Sequence, residues 1–192
     1  MIASFSGWSP SIGKSVFIAS SADTIGRVVI GDDSSVWFGA VIRADVHWVK
    51  IGARTNVQDG AIIHVTHCKK ADESDGYASI VGDDVTIGHR AVLHGCFVDN
   101  ACLIGMGAIV LDGAKIGAES IVGAGALVTQ GKIFPPRSLI LGAPAKAVRT
   151  LNDDEVSELY ASAKRYVALK NEYLTIISDR QGIKMTVKER VL

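Results

Sequence analysis

Five histidines stand in the chain, and four of them, His64, His67, His89 and His94, lie close together in sequence. Neutral imidazole is the usual protein ligand for zinc, and three protein ligands with a fourth position open describe a catalytic zinc site. Arg43, Asp45, Gln58 and Asp59 precede them, and polar residues so close to the histidines strengthen the metal reading. A lone histidine is more often a surface or satisfied core residue, so the metal reading needs an architecture that brings several together. Cys68, next to His67, could act as an adventitious ligand.

That architecture is legible as a repeat of six. Stepping by six from Ile12 reads Ile12, Ile18, Thr24, Ile30, Val36 and Ile42; from Ile51, Ile51, Val57 and Ile63; from Val81, Val81, Ile87 and Leu93. After a slip of one residue, Val98 opens the longest run, through Ile104, Val110, Ile116, Val122 and Val128 to Phe134. Those runs hold 19 hexads in all. Four residues after most anchors comes a small side chain (Ala22, Ser34, Ala40, Ala61, Ala91, Ala108, Ala126), and glycine often follows the anchor directly (Gly31, Gly52, Gly82, Gly105). A helical period of 3.6 cannot give six, and simple strand alternation does not single out every third inward position. A three-sided prism does both: each hexad is a short strand and a corner, and three hexads make one coil. Adjacent coils then bond about 4.8 Å apart, as strands do in any sheet. Nineteen hexads give roughly six coils, above the three repeats a solenoid needs. A β-sandwich with glycine-rich turns is the competing architecture, but it rarely holds a six-residue register through seven hexads.

The repeat then predicts the register of the polar residues. With the faces named a, b and c in order from Ile12, Arg43, His64 and His94 take the slot after the anchor on face c in successive coils. Gln58 and His89 follow face b. His64 and His94 should therefore stack one coil apart, close enough to share an ion. His89 lies across a corner from His94, so a single chain would not close the site, and a neighbouring chain in a threefold ring could supply His89. Two interruptions mark the same region. The step from Ile42 to Ile51 is nine, inserting three residues near His47 and Trp48. The polar stretch from His64 to Ile80 carries no anchors and reads as a loop thrown out from the prism, of a length that tends to be functional.

Lys+Arg and Asp+Glu both number 20, so the formal net charge is zero, against the basic excess that nucleic-acid binding requires. No apolar run approaches a membrane span. Residues 1–10 show neither a basic nor an apolar leader segment, and three scattered cysteines make no disulfide framework, which together point to a cytoplasmic protein. The hexads occupy a domain over residues 1–148. In the remaining 149–192, Asn152 and Glu155 form a capping box. Val156, Leu159, Tyr160, Ala163, Val167, Tyr173, Leu174 and Ile177 recur at helical spacing, predicting a helix of about 25 residues. It would lie along the prism or over its open end, stop at Gly182, and leave Ile183–Leu192 as a short strand. Trp8, Trp37 and Trp48 read as packing or interface residues, and Lys69 and Lys70 as solvated.

The segments Arg43-Ala44-Asp45, Asn56-Val57-Gln58-Asp59-Gly60, His64, Gly88-His89 and His94-Gly95, on a hexad solenoid, resemble the gamma-class carbonic anhydrase-like family, in its compact bacterial branch. The resemblance spans about residues 10 to 175. It implies a left-handed β-helix, a homotrimer, and a zinc or ferrous site at each subunit interface, with His64 and His94 from one chain and His89 from its neighbour. Arg43 and Asp59 would form the ion pair at the trimer contact. Asp45 would support the interface and the site, and Gln58 would lie beside the metal-bound water. A tyrosine of the helix, Tyr166 or Tyr173, would approach. The implied chemistry is reversible hydration of CO2 to bicarbonate by a metal-activated water. The fully active pattern has a glutamate just after Arg-x-Asp and another three residues after the first histidine ligand. This chain has Val46 and His67 there, and His67 could shuttle protons instead. Two other classes remain open. One is a non-catalytic metal-binding or assembly protein, favoured by the missing glutamates. The other is a hexapeptide-repeat acyltransferase using acetyl-coenzyme A and one histidine base, favoured by Leu141-Gly142-Ala143-Pro144-Ala145-Lys146-Ala147-Val148-Arg149.

Overall fold

The computed structural model describes residues 1–70 and 75–180. The strand expected in Ile183–Leu192 and the helix stop at Gly182 lie outside the described residues, as does the side chain of Ile177. The hexad reading is realised as a parallel β-helix. One ladder stacks Phe17–Ile18, Ser35–Val36, Asn56–Val57, Thr86–Ile87, Leu103–Ile104, Ile121–Val122 and Ser138–Gly142, all in parallel. Consecutive strands of the chain pass to the next ladder in turn, which makes the three sides. Nineteen hexads undercount these strands because Ile2–Ala3 and Ser138–Gly142 add one pairing strand at each end. Ala145–Thr150 then turns back antiparallel to Ser138–Gly142 and ends the ladder.

The anchors fill the prism. Ile30, Val36, Ile42, Val57, Ile63, Ile87, Leu93, Val98, Ile104 and Ile116 are all buried. Ala40, Ala61, Ala91, Ala108 and Ala114, four residues past their anchors, are buried as well, because the corner leaves no room for more. Glycine after the anchor answers a different need. A Cβ on Gly52 would lie 2.5 Å from the carbonyl carbon and oxygen of Gly82 in the next coil. The coils approach there more closely than any side chain permits, so the glycine is required by space. At the next corner residue the chain turns through left-handed backbone, at Asp33 (φ 59°), Arg54 (φ 55°), Asp84 (φ 57°), Glu119 (φ 58°) and Arg137 (φ 60°). Stacked at one corner, these side chains pair: Arg54 Nη2 lies 2.6 Å from Asp84 Oδ2, and Arg137 Nε donates to Glu119 Oε2 at 2.9 Å.

The helix Asp153–Arg180 lies along face b rather than over an open end. It reads the charged corner as it goes: Asp153 meets Arg137 at 2.9 Å, Tyr160 Oη donates to Glu119 at 3.2 Å, and Lys170 Nζ donates to Asp33 at 2.9 Å. Val156, Leu159 and Ala163 are buried against the sheet. Tyr166 and Tyr173 pack edge-on against Trp37, at 5.7 and 5.1 Å between ring centroids. Lys170 is fully buried, its ammonium satisfied by Asp33 and by Asn171 Oδ1.

The capping box forms as the sequence predicts. Glu155 N–H donates to Asn152 Oδ1 at 2.8 Å, and Asn152 N–H donates to Glu155 Oε2 at 3.0 Å. The Arg149 guanidinium grips both carboxylate oxygens, each at 2.7 Å, and with the Asn152 amide holds the Glu155 carboxyl at about 2. A depressed carboxyl pKa stabilises the fold above its unfolded value near 4.5, and that contribution is lost as pH falls toward about 2. Wild type should therefore lose thermal stability across that window more steeply than Glu155→Gln. Parallel melting curves for the two proteins check this.

Candidate metal centre

His64 ends the strand Ile62–His64 and His94 ends Val92–His94, and these strands pair with His94 directly opposite His64. Ile42 pairs with Ile63, which sets Arg43 one step along beside His64. The register read from the hexads is thus the observed one. The two imidazoles stand with centroids 5.1 Å apart, and His64 Nδ1 lies 3.1 Å from His94 Nε2.

The outer nitrogens of both rings are held by carboxylates. His64 Nε2 is 3.0 Å from Asp45 Oδ1, and His94 Nδ1 is 2.7 Å from Asp112 Oδ1. An ionised carboxylate can only accept, so each of these ring nitrogens carries the proton and donates. With one proton on each ring, the inner nitrogens are then both lone-pair acceptors, facing one another. Neither can donate to the other, so the pair calls for a cation between them. Burial pushes the His64 pKa below the ordinary imidazole range, outweighing the bond to Asp45. Two zinc ligands at 2.0–2.1 Å in tetrahedral geometry are about 3.3 Å apart, close to the observed 3.1 Å. The donor set therefore fits a metal ion.

Burial by itself would raise the Asp45 carboxyl, but bonds from His64 and Arg43 overcome it and hold Asp45 below the usual carboxylate range. Arg43 reaches across to Asp45 on its own strand. His89 has a carboxylate of its own, with Nδ1 2.8 Å from Asp59 Oδ2. All three histidines thus show the carboxylate–imidazole pairing that orients metal-binding rings.

The chain alone does not bring the three histidines together: among the described residues no group of three potential ligands could hold an ion. His89 instead borders a separate cleft of about 360 Å³ with Gln58, Thr86, Met106, Ser162 and Tyr166. Gln58 is buried, its Nε2 donating to Asn56 Oδ1 at 3.1 Å, and Asn56 Nδ2 in turn donates to Thr86 Oγ1 at 3.0 Å. Tyr166 is the helix tyrosine that borders this cleft; Tyr173 belongs to the aromatic cluster with Phe17 and Trp37. Within one chain Arg43 and Asp59 bond to Asp45 and His89 respectively, not to each other.

His67 is exposed on the excursion that leaves face c after His64. Its base is closed by the antiparallel bridge of Thr66 and Tyr77, and the Asp75 carboxylate accepts from the N–H groups of Lys69 and Lys70. The inserted corner near His47 carries Trp48, edge-on to Trp8 at 5.2 Å, with the Arg27 guanidinium 4.6 Å from the Trp8 ring. Sequence reasoning missed Asp112, Ser79 and Tyr77. Asp112 sits two residues past the anchor Val110, a position that carries no signal until the coils are stacked.

The model of the bacterial transferase hexapeptide family (six repeats) matches residues 95–130. Over 165 residues the chain is 48% identical to Protein YrdA of Escherichia coli K12, covering 86% of this chain and 89% of that protein. A carbonic anhydrase of Geobacillus kaustophilus is 41% identical over 181 residues, covering 94% of each. The chain belongs to the gamma carbonic anhydrase-like hexapeptide-repeat family. A family relative of known structure, a hexapeptide transferase family protein from Anaplasma phagocytophilum, superposes with a TM-score of 0.82 at 37% identity. That superposition covers 90% of this chain and 98% of the other. Among the described residues no helix is long and apolar enough to cross a membrane.

Proposed function

We propose that the protein is a metal-dependent, gamma-class carbonic anhydrase-like homotrimer that hydrates CO2 reversibly at the seams between subunits, at modest efficiency. The observation that carries this reading is the facing pair of lone-pair nitrogens on His64 and His94, each backed by a carboxylate. His89 of an adjacent subunit completes the ligand set, since its Nδ1 is committed to Asp59 and its Nε2 remains to bind. Bound there, zinc or ferrous ion would lower the pKa of a water to about 7 and so supply a nucleophile for CO2 at neutral pH.

The chain's own groups do the rest. Gln58 spends its amide N–H on Asn56, which leaves Oε1 to accept from a water or from the hydroxyl of bicarbonate and so orient it. Asp45 fixes the His64 ring and, through Arg43, ties it to the interface, where Arg43 and Asp59 of neighbouring subunits pair. His67, exposed three residues after His64, passes protons to buffer in place of the absent glutamates.

The test is stopped-flow CO2 hydration on protein purified anaerobically and assayed for metal. Bound metal with hydration supports the proposal. Bound metal with no hydration would move the protein to the metal-binding or assembly class, and turnover of acetyl-coenzyme A without metal would make it an acyltransferase.

A further inference from the structure

We infer that Asp112 is a positioning residue for the metal: it holds His94 in the tautomer that aims Nε2 at the ion, in a recess the fold keeps open for it. The inference rests on the proposed metal reading and extends it to a residue outside the ligand set. Three independent features build the recess. Asp112 Oδ1 accepts from His94 Nδ1 at 2.7 Å. A Cβ on Gly95, the residue after His94, would lie 2.3 Å from that same carboxylate oxygen and 2.7 Å from Tyr77 Cβ. A Cβ on Gly113, the residue after Asp112, would lie 2.9 Å from Tyr77 Cε1. The two glycines thus flank the carboxylate and imidazole, and Tyr77 from the end of the excursion packs over both. Gly113 N–H donates to the Gly95 carbonyl at 2.7 Å, which joins the two coils at this point.

Ser79 fixes the other side. Its buried hydroxyl donates to the His64 carbonyl and accepts from Gly95 N–H at 2.9 Å. The backbones of His64 and His94 are therefore pinned to each other independently of any metal, and the rings are aimed by Asp45 and Asp112. Pairing a ligating imidazole with a carboxylate fixes its tautomer and raises its basicity, and loss of such a partner weakens metal binding about 10- to 100-fold. The return end of the excursion thus brings Tyr77 against Gly95 and Gly113 and Ser79 to the His64 carbonyl.

Asp112→Asn keeps the shape and the acceptor oxygen but removes the charge, and Asp112→Leu removes both. Zinc affinity should fall in that order, by about 10- to 100-fold at the extreme, in chelator competition on the intact protein. The visible spectrum of the cobalt-substituted form should shift for both variants. A residue with a merely structural role would lower the melting temperature of the metal-free protein and leave affinity and spectrum unchanged in whatever remains folded. Nitrogen-15 spectra of wild-type, metal-free protein need no variant: His94 should be protonated at Nδ1, and protonation at Nε2 overturns the inference. Unchanged zinc affinity in both variants overturns it as well. If wild type binds no metal at all, the metal reading fails, and the tautomer measurement still decides whether Asp112 sets the ring.

Discussion

Replacing His94 or His64 with alanine should take bound metal from about one ion per chain to near zero while the assembly and the fold persist. Both rings stand outside the prism, on the slot after the buried anchors Leu93 and Ile63. Their removal therefore leaves the packed interior intact, and the expected cost to stability is small beside that of a core truncation. Each supplies one of only three protein ligands, and with two left an ion has little beyond water to hold it. Elemental analysis with sedimentation of each variant checks both halves. The removal also undoes a local conflict: with one ring gone, the other no longer faces a second acceptor at 3.1 Å. The metal-free variants should consequently melt no lower than metal-free wild type. Retention of about one ion per chain in either variant refutes the ligand assignment.

Gly52→Ala should destabilise the protein by about 3 kcal/mol, enough to leave much of it insoluble on expression. The added methyl meets the Gly82 backbone at 2.5 Å and Asp83 Oδ1 at 2.3 Å, so the next coil would have to move, and with it the hydrogen bond from Gly52 N–H to the Val81 carbonyl. Gly39→Ala is the matched control. Gly39 has φ +67° but nothing within 4 Å of a Cβ, so alanine there meets only left-handed strain, about 1 kcal/mol. The ranking, Gly52 well above Gly39 in chemical denaturation, separates space from backbone conformation as the reason for a glycine after the anchor. Equal costs would mean that the coils are looser than the structure has them.

The fold was legible because a solenoid writes its geometry into the sequence at a fixed period. Ile42, Ile63 and Leu93 are evenly placed apart from two inserts, and the same slot after each anchor gave the His64–His94 stack. The capping box was local chemistry within four residues and equally plain. Hidden from the sequence were contacts set by which coil lies on which. Asp112 reaches His94 across one coil, and Lys170 reaches Asp33 from the far end of the chain. A lysine on a helical stretch reads as solvated, yet Lys170 is fully buried because the helix runs along face b and meets the acidic corner there. Asp59, expected to meet Arg43 of a neighbouring subunit, bonds His89 within its own chain, a contact with no signal in the sequence.

The claim on which the functional account turns is that each metal draws on two subunits, and complementation measures it directly. Chains carrying His89→Ala retain His64 and His94, and chains carrying His94→Ala retain His89. Neither should bind metal alone. Co-expressed and purified as mixed trimers through two different tags, they should regain about one ion per trimer, because a ring of two kinds of chain has one seam with a complete set of imidazoles. Mixed trimers with no metal, or His89→Ala homotrimers retaining about one ion per chain, would contradict a site shared between subunits.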